Sequence, residues 1–199
     1  MNKPKEQDFK VKSIKLMPGG GLIINASFLF SSGDDAHTME FNNLKCTLPV
    51  HDDLFHLLRK QKPNILKVEE INYRQMAETL EKLNVDHAKE IGQVVEGMTI
   101  DALNKIETTG ISISGMDDKA QVVITYKKVT GNKKIAGRAT TAIQLSGSIF
   151  GFEEELGEDI ELIKSEVYKY IYANKHGDSD QQTLGLFNEE IDEIESTAK

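Results

Sequence analysis

From Leu22 to Phe30 the chain alternates in register: Ile24, Ala26, Phe28 and Phe30 fall on one side of an extended backbone, and Ile23, Asn25, Ser27 and Leu29 on the other. Successive side chains of a strand point to opposite faces, so a period of two specifies a half-buried β-strand. Its neighbours follow the same logic. Phe9 to Leu16 reads as a first strand, joined to the second through Pro18-Gly19-Gly20-Gly21. Ser31-Ser32-Gly33-Asp34-Asp35 is a turn by composition, since Gly and Asp tolerate the backbone angles a turn needs. A third strand is expected from about Thr38 to Leu48, where Pro49 stops it, and Asp52 to Lys60 reads as a short helix with Leu54, Leu57 and Leu58 on one side.

The plan repeats further on. Thr109 to Ser114 is a short alternating strand, Gly115-Met116-Asp117-Asp118 a turn, and Gln121 to Lys128 a strand with Val122, Ile124 and Tyr126 on one face. Thr130-Gly131-Asn132-Lys133 closes a hairpin, and a third strand is expected over Ile135 to Ser148. The helix from about Glu154 to Ala173 carries Leu156, Ile160, Ile163, Val167 and Ile171 at steps of four, three, four and four, as one buried stripe requires. The expected fold is α+β: antiparallel sheet built from two β-β-β-α-like units, about 9–62 and 107–174, within one globular domain over 1–174. A helical segment over 66–106 lies between them, in two pieces, Gln75 to Leu83 and His87 to Ile106. The halves share negligible sequence identity, so the repetition is one of pattern, and a meander followed by a helix is also a common way to cover a sheet.

With 39% hydrophobic and 28% charged residues, the composition is that of an ordinary folded chain rather than a disordered one. No apolar run is long enough for a membrane-spanning helix, and the first residues lack the apolar stretch of a secretory signal. One cysteine, Cys46, cannot form an internal disulfide or a Cys-based zinc site. A cytoplasmic setting without membrane attachment is expected; self-association is left open.

The net charge of −8 is unevenly spread: residues 150–199 carry −10 and 66–110 carry −4, whereas 1–65 carry +2 and 111–149 carry +4. A net-acidic protein repels nucleic acid, yet here the strand blocks are locally basic. Lys10, Lys12, Lys15, Lys127, Lys128, Lys133, Lys134 and Arg138 are therefore candidate phosphate contacts. The plainer explanation is that they keep exposed strand faces soluble. Aromatic platforms for unstacked bases are scarce, because alternation sends Tyr126, Phe28 and Phe30 to the core face.

Catalytic constellations are missing. His51 and His56 stand five apart, which turns them to different sides of a helix, so Asp52 or Asp53 is better read as stabilising the helix N-terminus than as a metal ligand. The acidic pairs Asp34-Asp35 and Asp117-Asp118 lie in turns. Gly19-Gly20-Gly21 lacks the lysine and hydroxyl residue of a phosphate loop and reads as a flexible connection, and Ser112, Ser114 and Ser146 sit in no nucleophile elbow. The expectation is a non-enzymatic protein with no catalytic residues, no metal and no cofactor.

After the long helix, Asn174 to Asp180 is a polar spacer, followed by Gln181-Gln182-Thr183-Leu184-Gly185-Leu186-Phe187 and an acidic end, so residues 175–199 read as a flexible acidic tail with a docking peptide. An apolar cluster beyond a solvated spacer calls for a docking surface, on the chain's own body or on a partner. Gln182 to Phe187 resembles the short peptide by which bacterial polymerases and repair proteins bind the ring-shaped DNA sliding clamp. The resemblance implies that the Gln182 amide hydrogen-bonds at one subsite while Leu184, Leu186 and Phe187 fill apolar pockets. The closing arrangement, from Gly151-Phe152-Glu153-Glu154-Glu155-Leu156 through Tyr168-Lys169-Tyr170-Ile171 to the Leu-Phe pair, resembles uncharacterised bacteriophage proteins from replication and recombination regions.

The expectation is an accessory protein of DNA replication or recombination, binding single-stranded nucleic acid through a basic sheet face and recruiting the sliding clamp through its tail. The alternative is a protein-interaction or inhibitor module whose acidic helices partly mimic DNA on a host protein. A third is a structural or assembly protein.

Overall fold

Period-two segments become strands. The computed structural model describes residues 5–32, 35–82, 105–115, 119–130, 134–147 and 149–177. Strands β1 (Phe9–Leu16), β2 (Leu22–Ser32) and β3 (Asp35–Cys46) precede helices α1 (Asp52–Lys60) and α2 (Lys62–Lys82). Strands β4 (Ile106–Ser114), β5 (Gln121–Thr130), β6 (Lys134–Ala139) and β7 (Ile143–Gln144) then lead to helix α3 (Glu153–Tyr172). The fold is α+β, with antiparallel pairing between β1 and β2, β2 and β3, β4 and β5, β5 and β6, and β5 and β7. The chain divides into two compact units, Met1–His56 with Glu161–Lys199, and Leu57–Ile160.

In the first unit β2 is the middle strand, with Ile24 opposite Ile14 on β1 and Leu44 on β3. Leu22, Ile24, Ala26 and Phe28 are buried, as their parity predicts, together with Phe9, Val11 and Ile14. Phe9 meets the rings of Tyr168 and Tyr172 edge-on, at 5.8 and 5.9 Å between centroids. The glycine connection is more constrained than its composition suggests: Gly20 has φ +85°, and a Cβ on Gly21 would stand 2.4 Å from the Cys46 carbonyl oxygen. At the start of α1 the cap is His51, whose Nδ1 accepts from the Asp53 amide at 3.3 Å. The Asp53 carboxylate instead takes the Lys175 ammonium at 2.6 Å.

The end of α3 is pinned. Lys175 also bonds Glu166 at 2.6 Å, Tyr170 donates to the Leu48 carbonyl, and an isolated antiparallel bridge joins Val50 to His176. Tyr170, not Ile171, closes the buried stripe of α3, because its hydroxyl finds that carbonyl.

In the second unit Ile106, Ile111, Val122, Ile124, Tyr126 and Ile143 are buried, and α2 packs against β4. Helix α2 starts well before Gln75, at Lys62, with Pro63 in its first turn, where a missing N–H costs nothing. The helical reading of His87 to Ile106 falls mostly outside the described residues, and Ile106 opens β4. The single strand expected over Ile135 to Ser148 is instead two. Thr140 ends the first by taking the Ile124 N–H on its own hydroxyl oxygen at 3.1 Å, while its amide donates to the Ile124 carbonyl at 3.0 Å. At the start of α3, the Glu153 carboxylate accepts from the amides of Phe150 and Phe152 at 2.7 and 2.9 Å, satisfying donors that a helix start leaves open.

Candidate functional site

Register sorts the strand cations into separate places. On β1, Lys10, Lys12 and Lys15 are exposed on the face away from the core. A bulge between Val11 and Ser13 resets the alternation, so that Lys15 joins Lys10 and Lys12 on that face instead of turning inward. Across the meander, Lys10 stands opposite Ser27 and then Glu40, and Lys15 opposite Ile23 and then Lys45. The strand residues described on this open face therefore include four lysines and one carboxylate. Between the lysines lie Ser13, Asn25 and Asn43, with Asn25 Nδ2 donating to Ser13 at 2.7 Å and the Asn43 amide to Asn25 Oδ1 at 2.6 Å. Among the described residues the face carries no aromatic ring; Phe28 is buried on the other side and Leu29, 46% exposed, is its largest open apolar group.

Lys12 bonds Glu40 at 2.7 Å, with about half of each side chain in solvent. The ammonium holds the Glu40 carboxyl below its ordinary range. An exposed pair of this kind is worth little, so a phosphate can displace the carboxylate. Lys45 escapes a sequence reading because β3 also bulges, opposite Asn25, where Asn43 takes φ +55°. The extra residue resets the parity, and only by placing it does Lys45 join the β1 lysines.

The second block of cations does not form one surface. Lys127 stands opposite Glu107 on the open face of β5, whereas Lys128 and Arg138 lie on the face toward α2. Lys134 occupies β6 opposite Thr130, and Lys133 lies outside the described residues, as do Gln182, Leu184, Leu186 and Phe187 of the tail.

Toward α2 the strands carry a polar cluster. Glu69, 9% exposed, accepts from the Tyr126 hydroxyl and from Lys128 Nζ at 3.2 Å, and Arg138 Nη1 stands 3.8 Å from its Oε1. Burial, then the hydrogen bond and charge of Glu69, push the Tyr126 phenol far above its ordinary value, so it remains a donor at neutral pH. Beside the cluster opens a cleft of about 360 Å³ lined by Val68, Glu69 and Asn72 of α2, Tyr126 of β5 and Arg138 of β6.

No group of three or more His, Cys, Asp or Glu side chains among the described residues could hold a metal ion. Burial pushes the Cys46 thiol up, which disfavours its thiolate. No described helix is long and apolar enough to cross a membrane. No family model, curated protein or solved structure matches this chain.

Proposed function

We propose that the chain is a non-enzymatic accessory protein of DNA replication or recombination, which holds single-stranded nucleic acid on the open face of β1–β3 and recruits a sliding clamp through its tail. The observation that carries the first half is the set of Lys10, Lys12, Lys15 and Lys45 on one sheet face, against Glu40 as the one carboxylate among the strand residues described there. Neutralising phosphates releases counterions, which drives binding even to a protein of net charge −8 when the cations are gathered locally. The Ser and Asn side chains between the lysines add hydrogen-bonding groups suited to phosphate and sugar. With no aromatic ring among the described residues of this face, the reading is of backbones rather than bases, and hence sequence-independent. The second half rests on the resemblance of Gln182 to Phe187 to clamp-binding peptides.

The test is a fluorescence titration of a labelled oligothymidylate over a salt series. Three to four neutralised phosphates give a log–log slope of about −2 to −3 for a single strand, and each Lys→Ala change at 10, 15 or 45 reduces it by about 0.7. Absence of binding at low salt, or an unaltered slope in the triple variant, removes this interface. In a parallel arm, Leu186→Ala with Phe187→Ala is expected to abolish capture of a sliding clamp at unchanged thermal stability. Earlier melting of that double variant would place the tail on the chain's own body instead.

A further inference from the structure

In the ion-paired cluster beside the cleft of the second unit the charges do not cancel. One carboxylate, Glu69, faces two cations, Lys128 and Arg138, leaving a local excess of +1. The two sides of that carboxylate are used unequally. Oε1 accepts the buried Tyr126 hydroxyl and Oε2 the Lys128 ammonium, whereas the Arg138 guanidinium, 41% exposed, stands 3.8 Å from Oε1, too far for a hydrogen bond. A guanidinium offers five N–H donors in a planar fork matched to a two-oxygen acceptor, and its contacts with the Tyr126 phenol and with Glu69 leave several of them over. The fork borders the open cleft of about 360 Å³, whose size falls in the range of small-molecule sites.

The rest of the lining fits an anion with an organic body. Asn72 lies three residues beyond Glu69 on the same side of α2 and brings an amide. Thr141 brings a hydroxyl, and Val68 and Ala139 bring apolar surface. Arg138 sits in β6, paired with Tyr126 of β5, so the strand ladder fixes its backbone before any ligand arrives. An incoming cation would raise the excess to +2, while a monoanion neutralises it.

We propose that this cleft binds a small organic oxyanion, a carboxylate or phosphate ester, gripped bidentately by Arg138 with its organic body against Val68 and Ala139. The proposal is independent of nucleic-acid binding on β1–β3 and uses none of those lysines.

Isothermal titration calorimetry on the full chain at fixed ionic strength tests it, with phenyl phosphate, benzoate and inorganic phosphate as probes. Phenyl phosphate or benzoate is expected to saturate with a dissociation constant below about 1 mM. The tighter of the two names the headgroup. Inorganic phosphate is expected to bind at least about tenfold more weakly, since it leaves the apolar walls uncovered. Arg138→Ala and Arg138→Lys should each weaken the organic probe about tenfold or more, the lysine variant keeping the charge but losing the fork. Lys15→Ala should leave its affinity unchanged. The proposal is overturned if neither organic probe gives saturable heat, if inorganic phosphate binds as tightly, if both Arg138 variants bind like the parent, or if Lys15→Ala abolishes binding.

Discussion

Glu69 shows how one side chain holds a local arrangement together. A carboxylate this deeply buried is costly unless its oxygens are met, and here a phenol and an ammonium meet them. Removing it strands both partners: Tyr126 is 3% exposed and the Lys128 side chain 20%. Glu69→Ala is therefore expected to destabilise by about 2 kcal/mol or more, while Tyr126→Phe, which leaves Lys128 paired, costs about 1 kcal/mol. Urea unfolding of the two variants measures the difference. Equal costs would mean that Lys128 finds adequate solvation without its carboxylate. Nothing in the sequence marks Glu69 as buried. It stands among charged neighbours in Lys67-Val68-Glu69-Glu70, and its partners lie 57 and 59 residues away along the chain.

Elements were legible where period and punctuation agreed. The faces of β2 and β5, the span of α1 and the stripe of α3 through Val167 follow from alternation or helical steps, and they stand as expected. Misreadings arose where a backbone irregularity or a polar partner breaks the period. Helix α2 hides its apolar side because Glu69 on it and Gln61 just before it are buried polar groups, the latter donating to Asp159 at 2.8 Å. The bulges at Lys12, opposite Asn25 and at Thr109 reset strand parity, and each hairpin's first strand, β1 and β4, carries one. Two glycines test this level from opposite directions. Gly157 lies inside α3 with open space where a Cβ would go, so Gly157→Ala should stabilise by about 0.5–1 kcal/mol. Gly21→Ala drives its Cβ into the Cys46 carbonyl and should destabilise by about 1–3 kcal/mol. Thermal unfolding should separate the pair by several degrees, and the same sign for both would refute the geometric assignment.

At the scale of the whole molecule, stability is tied to ionised carboxylates. The Lys175 hydrogen bond holds Asp53 below its ordinary range. Burial alone would raise Glu153 and Glu166, but backbone amides outweigh it at the first, and Lys169 with Lys175 at the second, so both end lowered. A carboxyl depressed on folding stabilises the native state above its unfolded value, and that contribution disappears as pH falls through the folded one. The melting temperature is thus expected to hold from pH 8 to about 5 and to fall steeply below about 4. Glu166→Gln should flatten part of that fall; a profile identical to the parent's would remove Glu166 from the account. The sequence showed that acid concentrates in 150–199, yet not which carboxylates are engaged, since Lys175 and Asp53 are 122 residues apart.

The attachment of residues 175–177 also has a mechanical meaning. A tension applied beyond Gly177 reaches the bridge of His176 with Val50 and the amide of Gly177 on the Pro49 carbonyl before it loads α3. These bonds, with Lys175 clasped by Asp53 and Glu166, act as a strain relief: whatever hauls on the acidic extension peels a short clasp before it can unwind the helix behind it.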